Sequence, residues 1–170
     1  MTRLPFDRRP ADWIGGAYDR HAAGLFRYAL MLLGDTASAA DAVQQVFLAL
    51  VRNRRAVEGV DHEDRYLRRA VRNECFSALR RRRREPAVTI GDGPLVESIE
   101  STRDDPELRV AIDQALRVLP PDQREVVHLK VFEGRTFQEI ADLSDESINT
   151  IASRYRYALD RLRAHLQVPK

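Results

Sequence analysis

Thr136 to Arg163 reads TFQEIADLSDESINTIASRYRYALDRLR, and its spacing decides how the rest of the chain is understood. Phe137, Ile140, Ala141 and Leu143 give a short first helix one apolar face, and Ser144-Asp145-Glu146 supply a polar turn. Ser147 is placed to cap a second helix whose Ile148, Ile151, Tyr155, Leu159 and Leu162 are expected to face inward. Its outward face then carries Asn149, Ala152, Ser153, Arg156 and Tyr157. This is the layout of a helix-turn-helix, whose second helix fits the major groove of DNA and offers side chains to base edges and phosphates. Short helical hairpins also occur in plain bundles, so spacing by itself leaves both uses open.

Upstream, the same helical period recurs and no stretch alternates with the period of two that a strand needs. The expected fold is all-α. A first helix spans about Ala11 to Leu33, with Gly34 as its stop and with Gly15, Gly16 and Gly24 as possible interruptions. Asp35 or Thr36 caps a second, in which Ala39, Val43, Val46, Phe47, Leu50 and Val51 repeat at three- and four-residue steps. After a connection from Arg52 to His62, a third helix begins near Glu63 and Asp64 and runs through Leu67, Ala70, Val71, Ala78 and Leu79 into five consecutive arginines, Arg80 to Arg84. Acids at its start and cations at its end both suit the helix dipole. Leu108, Ile112, Ala115, Leu116 and Leu119 mark a further helix ending at Pro120-Pro121, and Pro121 opens another that is expected to continue to Gly134.

Between these halves, residues 85–106 contain three prolines and two glycines with little periodicity, and read as an acidic, flexible linker. Two small helical domains are therefore expected, at 11–84 and 107–168. The net charge of +2 hides a segregation: 17 Arg against 11 Asp and Glu over residues 1–85 give +6, 5 basic against 10 acidic over 86–134 give −5, and 6 against 5 over 135–170 give +1. A basic first half points to an anionic partner, with nucleic acid ahead of membrane because no aromatic amphipathic segment accompanies the charge. No stretch approaches the roughly 20 apolar residues of a bilayer span, and the N-terminus lacks the apolar core of a secretory signal. A soluble, cytoplasmic protein is expected, without membrane insertion. The single cysteine, Cys75, excludes an internal disulfide, and its apolar helical neighbours suggest an inert thiol. His21, His62, His128 and His165 are widely separated, and no HExxH, cysteine pair or phosphate-binding glycine loop occurs. No enzyme, metal site or cofactor is expected.

The stretch LPPDQREVVHLKVFEGRTFQEIADLSDESINTIASRYRYALDRLR (Leu119 to Arg163) resembles the promoter-reading C-terminal domain of the extracytoplasmic-function sigma factors of bacterial RNA polymerase. YDRHAAGLFRYALMLLGDTASAADAVQQVFLAL (Tyr18 to Leu50) and YLRRAVRNECFSALRRRRR (Tyr66 to Arg84) resemble their N-terminal domain. Two motif sets stand in the family's order, across about Tyr18 to Leu166, which is more specific than a lone helix-turn-helix.

The resemblance implies a promoter-specific initiation factor that binds core RNA polymerase and promoter DNA, with an anti-sigma protein as an expected partner. By position, Asp41, Gln44, Gln45 and Leu48 fall on the segment that docks on the polymerase clamp helices, while Val43, Val46, Phe47 and Leu50 are assigned to the core. Tyr66, Arg69, Asn73, Arg80 and Arg81 fall on the element that melts and reads the minus-ten DNA. Asn73 suits edge hydrogen bonding and the arginine run suits phosphate contact; Tyr66 suits either stacking or packing. Asn149, Thr150, Ala152, Ser153, Arg154, Arg156 and Tyr157 fall on the minus-thirty-five reader, with Arg154 and Arg156 expected on phosphate or base edges. The linker is either drawn into basic polymerase channels or a solvated tether.

Several positions depart from the family pattern. Ala152 replaces a residue that is often basic, Asp145 a frequent glycine, Glu146 a frequent apolar residue, Gln45 a common glutamate and Ser77 a common aspartate. Two other readings of the residues remain open: a helix-turn-helix regulator acting without polymerase, and an interaction protein that reads no DNA.

Overall fold

The computed structural model describes residues 10–57, 60–84, 95 and 106–166, and among them every regular element is helical. Helix α1 spans Pro10–Leu33, α2 Thr36–Arg52, α3 Glu63–Arg84, α4 Pro106–Arg117, α5 Pro121–Val127, α6 Phe137–Ser144 and α7 Ile148–Leu166. The all-helical expectation therefore holds. The linker expectation lies outside the described residues except at Leu95 and Pro106. Leu95 is buried against Leu116, Leu119 and Ala158, and its N–H donates to Asp113 Oδ1 at 2.6 Å, so at this one point the connecting segment is anchored.

Helix α1 is continuous through all three of its glycines. It stops at Gly34, whose φ of 68° is open to glycine at little cost. Asp35 caps α2, its carboxylate accepting from the Ala37 and Ser38 N–H groups. Val43, Val46, Phe47 and Leu50 are buried as the period requires, against α1 and against Leu67, Val71 and Cys75 of α3. The three helices form one bundle. Cys75 is fully buried, and burial pushes its thiol up to about 12, so little thiolate exists near neutrality.

From Tyr28 to Leu33 every residue of α1 is buried, which a single amphipathic stripe would not require. The second set of helices covers the remaining face: Val126 and Leu129, Ile140, Ala141 and Leu143 of α6, and Ile151 of α7 join the same apolar cluster. A smaller cluster of Leu95, Leu116, Leu119, Val127 and Ala158 lies within the second set. The expected two halves are thus packed on each other. Arg124 of α5 donates to the Met31 carbonyl at 3.0 Å and Arg82 of α3 to the Leu33 carbonyl at 3.2 Å, satisfying helix-terminal acceptors of α1 from both sides.

Two expectations are corrected. The helix from Pro121 does not run uniformly to Gly134: after Val127 it widens into a π-type turn, His128–Phe132, closed by the Glu133 N–H on the His128 carbonyl at 3.2 Å. In α7 the first residue, Ile148, is exposed and Leu159 is only half-buried, its expected inward place taken by Ala158, so the inward seam is Ile151, Tyr155, Ala158 and Leu162. Ile148 lies in phase with that seam, but among the described residues no neighbour covers the helix start.

The five arginines divide by environment. Arg82 reaches back to Asp35 at 2.9 Å and to the Ser38 hydroxyl, clamping the α1–α2 corner, whereas Arg83 and Arg84 are exposed. Arg82→Ala is expected to cost about 1–3 kcal/mol in urea unfolding, because its partners lose charge-assisted hydrogen bonds, and Arg83→Ala under about 0.5 kcal/mol. Equal effects would contradict the clamp.

Candidate functional site

The helix-turn-helix is built by local chemistry. Thr136 caps α6 by accepting the Glu139 N–H, and the Glu139 carboxylate accepts from the Thr136 N–H at 2.7 Å, a reciprocal capping box. These bonds hold the Glu139 carboxyl below its usual range. Asp145 closes the helix at φ 60° and ψ 42°, the left-handed conformation that the turn demands. Ser147 Oγ accepts the Thr150 N–H at 3.1 Å and so starts α7.

On α7, Asn149, Arg156 and Tyr157 are exposed and Ala152 and Ser153 half-buried, so these five share an accessible side. Arg156 lies over the Tyr157 ring at 5.2 Å. Thr150 is engaged at the helix start with Ser147. Arg154 does not join the accessible set: it donates to Glu146 at 2.8 Å and pairs with Asp122 at 3.2 Å, tying α7 to the turn and to α5.

On α2, Asp41, Gln44, Gln45 and Leu48 all face outward: Gln44 and Leu48 border an open apolar groove between α1 and α2 lined also by Tyr18, Ala22, Phe26, Val43 and Phe47, whereas Asp41 and Gln45 border a polar cleft between α2 and α3 with Glu74, Arg81 and Arg82. Tyr18 packs edge-on against Phe47 with ring centroids 5.0 Å apart. Leu48 and Val51, 37% and 47% exposed, extend this apolar surface to solvent.

On α3, Asn73 is exposed, and Arg80 and Arg81 are exposed beside Ser77 and Glu74. Tyr66 is half-buried against the core, which favours its packing use. Arg69, one turn before Asn73, pairs with Asp145 at 2.9 Å.

Sequence reasoning missed the charged network beside this helix. Arg72 donates to both oxygens of Glu125, at 2.8 and 3.0 Å, and the Tyr28 hydroxyl donates to Glu125 Oε1. Burial, reinforced by Glu125, raises the Tyr28 phenol well above its usual range. Burial works against the Arg72 charge, but Glu125 outweighs it and holds the guanidinium higher than usual. A signal was available: Glu125 stands one turn from Leu129, on the helix face that should be apolar.

The chain matches the family models for sigma-70 region 2 over residues 17–85 and for sigma-70 region 4 over residues 109–162. It belongs to the sigma-70 family. It is 32% identical over 156 residues to the ECF RNA polymerase sigma factor SigL of Mycobacterium tuberculosis, covering 88% of this chain and 86% of that one. It is also 33% identical over 148 residues to the RNA polymerase sigma-E factor of Streptomyces avermitilis, covering 84% and 79%. Among solved structures it is similar to the sigma factor RpoE of Bartonella quintana, determined in complex with the anti-sigma factor NepR, with a TM-score of 0.69 and 25% identity over 92% of this chain and 98% of that one. The sigma-70 assignment makes this chain a non-enzymatic transcription initiation factor of the ECF type. No helix among its described residues is long and apolar enough to cross a membrane.

Glu133 offers a titration test of the sigma factor's packing. Burial alone would raise its carboxyl, but His128, Arg68 and Arg135 around it lower it to about 2 from an ordinary 4.5. Its ionised form therefore stabilises the folded chain above about pH 4.5, and that contribution fades as pH falls toward 2. Glu133→Gln is expected to lower stability at pH 7 and to flatten the loss between those limits, measured by urea unfolding across pH. An unchanged acid limb would remove Glu133 from that role.

Proposed function

We propose that this sigma factor uses two separate outward faces, one for core RNA polymerase and one for promoter DNA, and that it acts in the cytoplasm where that polymerase works. The domains are 11–84, which grips polymerase and reads the minus-ten element, and 107–168, which reads the minus-thirty-five element, with 85–106 joining them. The observation that carries the reading is the sorting of α2: Asp41, Gln44, Gln45 and Leu48 are exposed, Gln44 and Leu48 at an apolar groove and Asp41 and Gln45 on the flank toward α3, while Val43, Val46, Phe47 and Leu50 fill the core. A carboxylate and two amides around an apolar strip suit the flank of another helix pair.

On α7, Asn149, Ala152, Ser153, Arg156 and Tyr157 are the duplex-facing set, with Arg156 on phosphate or a base edge and the Ala152 methyl group suited to thymine. Arg154 is better supported as a brace for the turn than as a DNA contact, since both its partners lie within the protein. On α3, Asn73 reads an unpaired base, and Arg69, Arg80 and Arg81 hold backbone phosphate beside it. An anti-sigma protein is a further proposed partner, supported by the likeness to a sigma factor solved with one.

Run-off transcription with purified core polymerase tests the whole reading, which promoter-dependent transcripts support and failure to bind core would sink. Asp41→Arg is expected to weaken core binding on the order of tenfold while leaving binding to duplex promoter fragments unchanged. Arg156→Ala is expected to lower use of promoters bearing an upstream element roughly fivefold to a hundredfold and to reduce the salt dependence of DNA binding. Unaltered promoter use by this variant would take Arg156 out of the site.

A further inference from the structure

Helix α3 is held to α1 at its first turn. Glu63 opens α3, where the helix dipole favours a carboxylate. Both of its oxygens are engaged from α1: Arg20 donates through Nε and Nη2 to Oε1 at 3.2 and 2.8 Å and through Nη2 to Oε2 at 2.9 Å, and His21 Nε2 lies 2.7 Å from Oε1. His21 Nδ1 stands 3.9 Å from Asp64, the next residue of the turn. Gly16 makes room for this cluster. Glycine is disfavoured inside a helix, yet α1 is continuous through it. A Cβ at Gly16 would lie 2.8 Å from Arg20 Nη1, closer than side-chain atoms approach, whereas at Gly24 nothing among the described residues comes within 4 Å. The missing methyl group is therefore the seat on which the guanidinium rests while it faces Glu63.

We propose that Arg20, seated on Gly16 and seconded by His21, is a positioning residue for promoter opening: it fixes the first turn of α3 so that Tyr66 and Asn73, about one and about three turns further on, meet the separating strands at set places. This rests on the reading of α3 as a DNA-facing helix. Tyr66 depends on that turn directly. Its N–H bonds the His62 carbonyl at 3.0 Å, and its ring is half-buried against the core. Helix ends fray unless their free groups are held, and a frayed turn would leave the ring to be ordered during strand separation, which adds to the cost of that step. Arg20 and Glu63 are both partly exposed, so a pair of this kind shifts an equilibrium by no more than about fivefold. That scale tunes one step and does not hold the fold, which rests on the buried Leu67, Val71 and Cys75 of α3.

The test follows the full chain with core polymerase on a promoter that the pair transcribes, once as a duplex carrying a fluorescent base analogue in the minus-ten segment and once with that segment already mismatched. Arg20→Ala should slow opening of the duplex roughly twofold to fivefold, keep its affinity for core, and regain most of the loss on the mismatched template. Gly16→Ala should slow opening in the same way while its urea midpoint holds or rises, because alanine favours the helix and its methyl group pushes the guanidinium off Glu63. Gly24→Ala, which meets no neighbour, should hold or raise the midpoint and open the duplex at the unaltered rate. A merely structural role for Arg20 cannot move stability and opening in opposite directions. Normal duplex opening by Arg20→Ala or Gly16→Ala, an equal loss on both templates, or a drop in core affinity each overturn the proposal. Asn73→Ala tests the underlying reading and should lose activity on both templates. If it opens both normally, α3 is not the DNA-facing helix and the proposal falls with that reading; if it is impaired while Arg20→Ala is not, the positioning role alone falls.

Discussion

Glu125 is 1% exposed, and a carboxyl group at that depth is tolerated only because its surroundings answer it. Arg72 of α3 answers with two hydrogen bonds and Tyr28 of α1 with a third, so three helices from both halves of the chain converge on one side chain. Removing either charged partner would strand the other in a dry interior, a loss of about 3–5 kcal/mol in comparable pairs. The position of α5 over α1 and α3 is therefore constrained by charge as well as by apolar contact. Everything downstream of α5, including the helix-turn-helix, inherits its placement from that point. The end of α1 shows the same dependence: Arg124, one residue before Glu125, supplies the donor that the Met31 carbonyl lacks within its own helix.

Charge segregation takes on a second meaning in this light. An excess of arginine in the first half and of acid in the middle argues for a polyanionic partner, and the sigma-70 assignment is consistent with that. In the folded chain much of the excess is neutralised internally, since the carboxylates of Glu125, Glu133, Asp142, Asp145 and Glu146 lie on arginines of α3. Composition records the sum of charges and their order along the chain. It does not record which of them meet.

What was legible in the sequence follows from the range of the interactions involved. Helical period, proline at the start of α5, glycine at the ends of α1 and the π-type turn, and the Ser147 cap are local, and the structure has each of them. On α2 the resemblance picked out Asp41, Gln44, Gln45 and Leu48, and helical period separates them from the buried Val43, Val46, Phe47 and Leu50, but it also put Val51 on the apolar face, where the structure leaves it 47% exposed. Period failed at Ile148, because it specifies a face of a helix but not how far the neighbouring helix extends. It failed for Arg154 and Arg82, because the partners that draw them inward lie eight or more positions away. The Arg72–Glu125 pair spans 53 positions and had only one local trace, a glutamate on an apolar face.

Asp145 joins these two levels of organisation. Its backbone is left-handed at φ 60°, where glycine would sit without strain and an ordinary residue costs on the order of 1 kcal/mol. An aspartate here, where the sigma-factor pattern often has glycine, is therefore not explained by the turn. Its side chain is 79% exposed and among the described residues makes no bond that helps the turn, but it stands 2.9 Å from Arg69. Glycine would form the same corner and leave that arginine unanswered. Glu146, beside it, follows the same logic: an apolar residue would serve the helix-turn-helix, whereas the carboxylate reaches both Arg72 and Arg154. Both departures lie in one turn, both add negative charge, and both add it where α3 presents arginine, so the choice of residues at this corner is governed by the other half of the chain.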